Sequence, residues 1–376
     1  MNETWWVDPA DLDESQLKVL AEGPDSSLLI IGPPGSGKTN ILILRANYVR
    51  SVAPRMLFLT FTRTLTEFLR AGPNVVRADQ LQPNEIMTFM GWGIRTIKEH
   101  GGDYEPDGDF DAQREAVIEE LNRLLDGNKI GELYDVVFVD EVQDLRADEL
   151  AIIQRVTDRI NAAGDARQRI YEHREGLPTI EGMVDKVLEL DTHYRVGRKI
   201  CAFADKILPP PPGGQTLEEG SNYDEDQRES SVDVVPSANL NAQYAACIER
   251  IKVQRRYITD EPIGVICHTR AMRDGFWEAI SSDEDLSPIS IIQKEDAYQP
   301  FGPNSLIRVM TVNSAKGSEF RAVHLLGAEK FRTGMRELAF TAVTRAKTEL
   351  VLYHVKPLPG HMTPKSNTLP PLGSIF

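Results

Sequence analysis

Residues 28–39 read LLIIGPPGSGKT, and this segment alone indicates an α/β protein that binds a nucleotide. The four apolar residues Leu28–Ile31 predict a short buried strand, and the pattern after Thr39 predicts a helix. The turn between them matches GxxxxGK[ST], in which backbone N–H groups and the helix N-terminus hold phosphates. We expect Lys38 to reach the β- and γ-phosphates and the Thr39 hydroxyl to bind Mg²⁺. The other residues expected to contact the nucleotide here are Gly32, Pro33, Gly35, Ser36, Gly37 and Asn40.

A second apolar run, VVFVDE at 136–141, ends in two carboxylates. Ligands of parallel α/β sheets bind at the carboxyl ends of the strands, where Asp140 and Glu141 would lie. Asp140 suits a water-mediated contact with Mg²⁺, and Glu141 suits polarising the water that attacks the γ-phosphate. An apolar run ending in Asp-Glu is common by itself. Together with the glycine-rich turn, it indicates hydrolysis of a nucleoside triphosphate.

Strand-like apolar runs alternate with helical patterns along the chain, which is typical of parallel sheets covered by helices. The length of 376 residues suits two domains of ordinary size. The predicted strands are 28–31, 56–60, 136–139, 263–267, 307–311, 322–326 and 350–353. The predicted helices are 14–22, 39–51, 63–70, 112–125, 147–160, 197–208, 241–254 and 335–344.

Composition and charge narrow the class of protein. The net charge of −15 argues against a protein that coats duplex DNA, but it permits a local groove that grips a single strand. Cys201, Cys247 and Cys267 lie far apart and form no CxxC motif, so we expect neither a zinc nor an iron–sulfur site. There is no apolar run of about 20 residues and no signal peptide, so we expect a cytoplasmic protein without membrane contact.

Further segments resemble the UvrD/Rep-like family of superfamily 1 helicases, in the family's order. They are DEVQD at 140–144, GDARQRIY at 164–171, THYR at 192–195, TVNSAKGSEF at 311–320 and VTRAK at 343–347. The resemblance implies an α/β fold of two tandem RecA-like domains with parallel sheets. It places the first domain at 1–187 and the second at 188–355, with an acidic insertion or long turn at 209–233 and a Pro-rich tail at 356–376.

The resemblance also implies how the adenosine part of ATP is bound. Gln16 would read the edge of the adenine, and Tyr194 would stack on its face. Gly317 and Glu319 would lie near a phosphate and the ribose. Asn40 stands where the family usually has an arginine that covers the adenine, so the contact with the base is expected to be weaker.

Three further residues would act on the γ-phosphate. By resemblance, Arg195 and Arg345 would approach it from the second domain, and Gln168 would couple it to the bound strand. Arginines supplied by a second domain stabilise the charge of phosphoryl transfer only when the domains close, which ties hydrolysis to movement. We therefore expect ATP to be hydrolysed in the cleft between the two domains.

Two other segments, TFTR at 60–63 and TFMGW at 88–92, resemble family motifs that hold a single strand. Hydroxyl and N–H groups would bind phosphates, and aromatic rings would stack on bases, at about 1–3 kcal/mol per base. Core packing explains Trp92 about as well. His173, Asn313 and Arg63 depart from the residues usual in the family. The expected contacts with DNA are Thr60, Phe61, Thr62, Arg63, Thr88, Trp92, Tyr171, His173, Asn313 and Ser314.

The spacing between motifs leaves little room for the accessory subdomains that UvrD-like enzymes insert into each domain. We predict an ATP-dependent single-stranded DNA translocase or helicase, moving 3′→5′ as the SAKG form at 314–317 implies. The alternative is a partner-controlled ATPase subunit that senses nucleic acid and gates a nuclease. An RNA strand remains an alternative substrate. A P-loop kinase or GTPase would explain Lys38 and Asp140 but not the later motifs.

Overall fold

The computed structural model describes residues 9–70, 80–105, 107–168, 175–294, 299, 301–302 and 304–364. The chain divides into two compact units. The first domain comprises Met1–Gly32 and Gly37–Asp191, and the second comprises Pro33–Ser36 and Thr192–Phe376.

In the first domain, one parallel sheet is covered by helices. Its strands are β1 (Leu28–Ile31), β2 (Met56–Thr60), β3 (Ile86–Thr88), β4 (Val136–Val139), β5 (Ile160–Gly164) and β6 (Lys186–Glu189). Its helices are α1 (Glu14–Ala21), α2 (Lys38–Val49), α3 (Arg63–Arg70), α4 (Phe89–Glu99), α5 (Phe110–Asp126), α6 (Ala147–Val156) and α7 (Gly176–Glu181). The strand order is β3-β2-β4-β5-β1-β6.

Strand β4 shows why this sheet reads as continuous apolar runs. Val137 and Val139 point into a core that also holds Trp92. Val136 and Phe138 point to the opposite face, into a core that holds Ile41. Successive residues of a strand face opposite sides, and both sides are covered here, so no position in β4 can be polar. The polar side chains of this segment therefore follow β4, at its carboxyl end, where the candidate site lies.

The second domain has the same architecture, a parallel sheet with helices. Its strands are β7 (Ser231–Pro236), β8 (Ile263–Cys267), β9 (Ser290–Ile292), β10 (Ile307–Thr311), β11 (Phe320–Leu326) and β12 (Ala346–His354). Its helices are α8 (Arg198–Ile207), α9 (Leu240–Gln254), α10 (Arg270–Ser281), α11 (Val312–Ala315) and α12 (Arg336–Val343). All pairs are parallel, in the order β7-β12-β11-β8-β10-β9. The predicted α/β class with two tandem RecA-like domains is confirmed.

One predicted helix is too long. The segment 147–160 was expected to be helical throughout, but α6 ends at Val156 and Ile160 begins β5. Strand β5 reads INAAG, whose small residues carry no β-branched signal after the first position. The strand forms because it lies between β4 and β1, where its neighbours supply both ladders of hydrogen bonds. The tertiary setting overrides the local preference.

The acidic segment 209–233 is a long turn that packs on the second domain. The backbone N–H of Leu217 donates to Asp205 Oδ1 at 3.0 Å, and the hydroxyls of Tyr223 and Thr348 lie 2.7 Å apart. Its last residues belong to β7, a strand that the sequence did not predict. The segment thus runs as a turn along the second domain and leads into β7. Across the described ranges, no helix is both long and apolar enough to cross a bilayer.

Candidate active site

The glycine-rich turn runs from the end of β1 to the start of α2 at Lys38. Gly35 and Gly37 adopt φ angles of 78° and 82°, a left-handed backbone that residues with a Cβ rarely accept. Lys38 Nζ donates to the carbonyl oxygen of Gly32 at 2.7 Å, so the ammonium group lies across the turn. This backbone has the conformation that a phosphate-binding turn requires.

The carboxylate of Asp140 lies beside this turn. It follows β4 and is buried; its Oδ1 accepts from the Glu141 N–H at 3.0 Å. Burial, followed by the charge of Glu141, raises the pKa of Asp140 to about 7, against the opposing effects of the Thr39 hydroxyl and the Lys38 ammonium. The buried Oδ2 accepts no hydrogen bond from any residue that the structure describes. A divalent cation would satisfy this oxygen and favour the ionised form, so Thr39 and Asp140 fit a Mg²⁺ ion.

Glu141 is held in an unusual backbone conformation, with φ of 55°. Its carboxylate accepts a hydrogen bond from Gln143 Nε2, and Gln143 Oε1 accepts from the Asp165 N–H at 3.1 Å. Asp165 in turn accepts from Gln168 Nε2 at 2.8 Å. A hydrogen-bonded chain thus joins the end of β4 to the end of β5. Gln143 was not among the predicted site residues, although it stands in the DEVQD segment that was quoted for the resemblance.

Helix α1 brings Gln16 to the phosphate-binding turn. The Asp13 side chain caps the helix, and Gln16 Oε1 accepts from the Asp13 N–H at 3.1 Å. A Cβ placed on Gly37 would lie 3.1 Å from Gln16 Nε2, so the amide group is close to the turn. The side-chain oxygen of Gln16 is therefore engaged in the cap. The contact of Gln16 with adenine stays a prediction. Asn40, the residue directly after Thr39, is also buried.

Arg45 fastens α1 to α2 from inside the domain. It is fully buried, and its Nε donates to Asn161 Oδ1 at 2.8 Å. The remaining N–H groups donate to carbonyl oxygens at the end of α1: those of Val19 (3.2 Å), Glu22 (3.0 Å) and Gly23 (2.6 Å). A cation at the C-terminal end of a helix also interacts favourably with the helix dipole. Arg45 thereby fixes the helix that carries Gln16.

Two of the residues predicted to contact DNA in the first domain have buried side chains. Trp92 is fully buried; it packs against Phe89, and its Nε1 donates to the Tyr134 hydroxyl at 3.0 Å. Thr60 is also buried, and its hydroxyl lies 2.6 Å from that of Thr66. Each side chain therefore contributes to the packing of the domain, and its contact with a strand stays a prediction. Both stand near the end of a strand, but their side chains point inward.

The other predicted contacts of this domain lie at the carboxyl edge of its sheet. The Thr62 hydroxyl accepts from the Leu65 N–H at 3.2 Å, and the Thr88 hydroxyl accepts from the Gly91 N–H at 3.1 Å. Both hydroxyls therefore stabilise the start of a helix, in α3 and α4. Phe61 is half-buried and Arg63 is exposed. Tyr171 and His173 lie outside the described residues.

In the second domain, predicted γ-phosphate and ribose residues meet at the amino edge of the sheet. Arg195 Nη1 donates to Glu319 Oε2 at 2.8 Å. Arg345 is buried, and its Nε donates to the carbonyl oxygen of Thr341 at 3.0 Å. Burial alone would raise the pKa of Glu319, but Arg195, Lys347 and Arg345 together lower it below its usual range. Tyr194, beside this group in sequence, is 38% exposed, and Gly317 has a φ of 77°.

The predicted strand-binding residues of this domain lie at the opposite edge of the same sheet. Asn313 and Ser314 belong to α11, directly after β10. The Thr311 hydroxyl accepts from the Ser314 N–H at 3.4 Å and caps that short helix, which leaves Asn313 exposed. The second domain thus separates the two groups of predicted residues by the length of its strands.

Comparisons with known proteins agree with the motifs. Residues 306–353 match the UvrD-like helicase C-terminal domain, and residues 16–174 match an AAA domain. No curated protein matches the chain. Among solved structures, the chain is similar to the helicase of PRRSV, with 16% identity and a TM-score of 0.44. That alignment covers 90% of this chain and 54% of the viral one, so the chain spans about half the length of that helicase.

Two further structures show the same level of likeness. The Arterivirus nonstructural protein 10 helicase has 18% identity and a TM-score of 0.42, with 90% of this chain and 61% of that chain covered. The C-terminal domain of a possible DNA helicase from Lactobacillus plantarum WCFS1 has 21% identity and a TM-score of 0.34, covering 46% and 94%. Likenesses this low decide nothing about activity. The two domain matches fall on the segments that carry the motifs: the chain carries an AAA domain at 16–174 and a UvrD-like helicase C-terminal domain at 306–353.

Proposed function

We propose that this protein is an ATP-dependent translocase or helicase that moves 3′→5′ on single-stranded DNA. The observation that carries the proposal is the hydrogen-bonded chain from Glu141 through Gln143 and Asp165 to Gln168, beside a phosphate-binding turn. It connects a carboxylate suited to activating water with the residue expected to respond to a bound strand. ATP hydrolysis and strand binding would be coupled through this chain.

The phosphate-binding turn and the residues after β4 each have a defined task in the proposal. The N–H groups of the turn and Lys38 bind the phosphates of ATP. Thr39 and Asp140 hold Mg²⁺, which supplies charge neutralisation on the phosphate oxygens. Gln143 fixes the orientation of the Glu141 carboxylate, which accepts a proton from the attacking water.

The second domain would supply the remaining groups. Arg195 and Arg345 stabilise the negative charge that develops on the γ-phosphate, and Tyr194 stacks on the adenine. Stacking and phosphate contacts would hold the strand without reading its sequence, which suits a motor that must pass over every base. The residues proposed to contact the strand are Phe61, Thr62, Arg63, Thr88, Tyr171, His173, Asn313 and Ser314.

The test is the rate of ATP hydrolysis with and without single-stranded DNA, with RNA as a third arm. We expect DNA to raise the rate, and Lys38→Ala or Glu141→Gln to abolish hydrolysis. Glu132→Gln, a change at an exposed glutamate, is the matched control and should leave the rate unchanged. A rate that no single strand raises would contradict the proposal. If RNA raised the rate more than DNA does, RNA would be the substrate. If both raised it equally, the enzyme would not distinguish the two strands.

One observation favours a second candidate, an ATPase subunit that gates a partner nuclease. Among the described residues, α5 is the one helix between α4 and β4, and β9 is separated from β10 by a short segment of sequence. Neither place holds an accessory subdomain that could open a duplex. This candidate predicts DNA-stimulated hydrolysis without unwinding by the isolated chain. Processive unwinding of a long duplex by the chain alone would exclude it.

A further inference from the structure

A buried ion pair lies next to the turn that follows the candidate catalytic carboxylate. Glu141 is followed by a short helical turn, Val142–Asp144, and then by α6. Arg114 of α5 donates through Nε and Nη2 to the two carboxylate oxygens of Glu149 in α6. The Arg114 side chain is 3% exposed and that of Glu149 is 0% exposed, so the pair is shielded from water. It therefore belongs to the interior of the first domain.

The same pair holds the end of this turn. Glu149 Oε2 also accepts from the backbone N–H of Arg146 at 2.9 Å, and Arg114 Nη2 donates to the carbonyl oxygen of Asp144 at 3.5 Å. These two contacts fix the backbone between the turn and α6. Inside the turn, the Asp144 N–H donates to the carbonyl oxygen of Glu141 at 3.0 Å. A shift of the ion pair would therefore reach Glu141 through a single hydrogen-bonded turn.

Close packing leaves the turn little freedom elsewhere. Helix α7 begins at Gly176, where a Cβ would lie 2.0 Å from the carbonyl oxygen of Val142. A Cβ on Gly164, the last residue of β5, would lie 2.8 Å from Gln143 Oε1. Neither glycine has room for a side chain, so β5 and α7 lie in close contact with the turn. The turn is thus held by packing at Val142 and Gln143 and by the ion pair at Asp144.

We infer that Arg114 and Glu149 are positioning residues for ATP hydrolysis, because they fix the turn through which Gln143 orients the Glu141 carboxylate. The inference rests on the proposed function, in which Glu141 activates the attacking water. A buried ion pair often adds little stability, because removing both charges from water costs about as much as their attraction gains. Two parallel hydrogen bonds between a guanidinium and a carboxylate instead fix the orientation of both groups. A catalytic group displaced by about 1 Å can lose about 10²-fold in rate.

The experiment removes both charges, so that neither is left unpaired in the core. In the double variant Arg114→Met/Glu149→Met, apolar side chains fill the space, a replacement that buried ion pairs often tolerate without loss of stability. We expect the kcat for DNA-stimulated ATP hydrolysis to fall about tenfold or more, while the KM for ATP stays within about twofold. A role in folding alone would change the urea midpoint and leave the kcat of the folded protein unchanged.

The matched control is another ion pair between the same two helices. Arg155 of α6 and Asp126 of α5 lie 2.8 Å apart, but their side chains are 39% and 72% exposed. Arg155→Gln/Asp126→Asn should therefore keep the wild-type kcat. Arg114→Lys keeps the positive charge but cannot make the paired hydrogen bonds, so its kcat should lie between those of wild type and the double variant. This single variant carries the test if the double variant does not fold.

Hydrogen exchange gives a readout that does not depend on activity. In the double variant the Arg146 N–H loses its acceptor, so exchange across 144–146 should become about tenfold faster or more, while β4 keeps its rates. Unchanged exchange there, a wild-type kcat in the folded variant, or an equal fall of kcat in the control would overturn the inference. A wild-type chain that hydrolyses no ATP would contradict the proposed function alone. The exchange rates would still decide whether the ion pair holds the turn.

Discussion

Replacing Arg45 by methionine tests whether one buried cation fixes α1 to the rest of the first domain. The side chain donates to two buried acceptors, Asn161 Oδ1 and the carbonyl oxygen of Val19. It also donates to the partly buried carbonyls of Glu22 and Gly23. Methionine fills a similar volume but donates nothing, so all four acceptors lose their donor.

The expected loss follows from which acceptors water can reach. The carbonyls of Glu22 and Gly23 lie near the surface and can turn to water. An acceptor left unsatisfied in the core costs about 1–3 kcal/mol, so the two buried ones together cost about 2–6 kcal/mol. Burial also lowers the pKa of Arg45, which means that keeping this side chain charged in the folded protein costs free energy. The variant recovers that part, and we expect a net loss of about 2–4 kcal/mol.

The assay is unfolding in urea, which gives the free energy of unfolding of the first domain in wild type and in each variant. Arg55→Met is the control, because Arg55 pairs with Asp135 while remaining 58% exposed, and such pairs contribute about 1 kcal/mol or less. If Arg45→Met lost no more stability than Arg55→Met, the assigned role of Arg45 would be refuted. Arg45→Met should also raise the KM for ATP, since it loosens the helix that carries Gln16.

Other consequences can be checked individually. Trp92→Phe should leave the affinity for single-stranded DNA within twofold while lowering thermal stability; a large loss of affinity alone would return Trp92 to the strand-binding surface. His324 is buried, which lowers its pKa to about 3, with Arg250 adding to the effect. Below pH 6.5 the unfolded chain takes up a proton that the folded one refuses, so stability falls by up to about 1.4 kcal/mol per pH unit. Unfolding at pH 7.5 and 5 should show this slope in wild type and not in His324→Gln. Gly264→Ala should destabilise the second domain, since a Cβ there would lie 2.6 Å from the Phe320 ring; wild-type stability would contradict that packing.

Much of the first domain follows from its sequence because its strands are buried on both faces. Strands β1, β2 and β4 read as uninterrupted apolar runs, and their bounds agree with the prediction. Strand β6 escaped detection because it is a mostly exposed edge strand that reads KVLE. Pattern methods find strands through what they bury, so edge strands and strands of small residues are missed.

The candidate site was harder to predict because tertiary packing sets the direction in which each side chain points. The motif around Trp92 located the junction of β3 and α4 but could not show that the indole is buried in the core. The pairing of Glu319 with Arg195 likewise depends on contact between residues far apart in the chain. The sequence pointed to Arg195, Glu319 and Arg345, and the fold supplied their arrangement.

The central claim is that arginines of the second domain act on ATP bound by the first. Its most direct test is the kcat for DNA-stimulated hydrolysis by Arg195→Ala, measured together with the Kd for ATP. We predict that kcat falls by about 10³-fold or more while Kd changes far less. Arg256→Ala, at an exposed arginine of the same domain, should behave like wild type. Hydrolysis by Arg195→Ala at the wild-type rate would contradict the account.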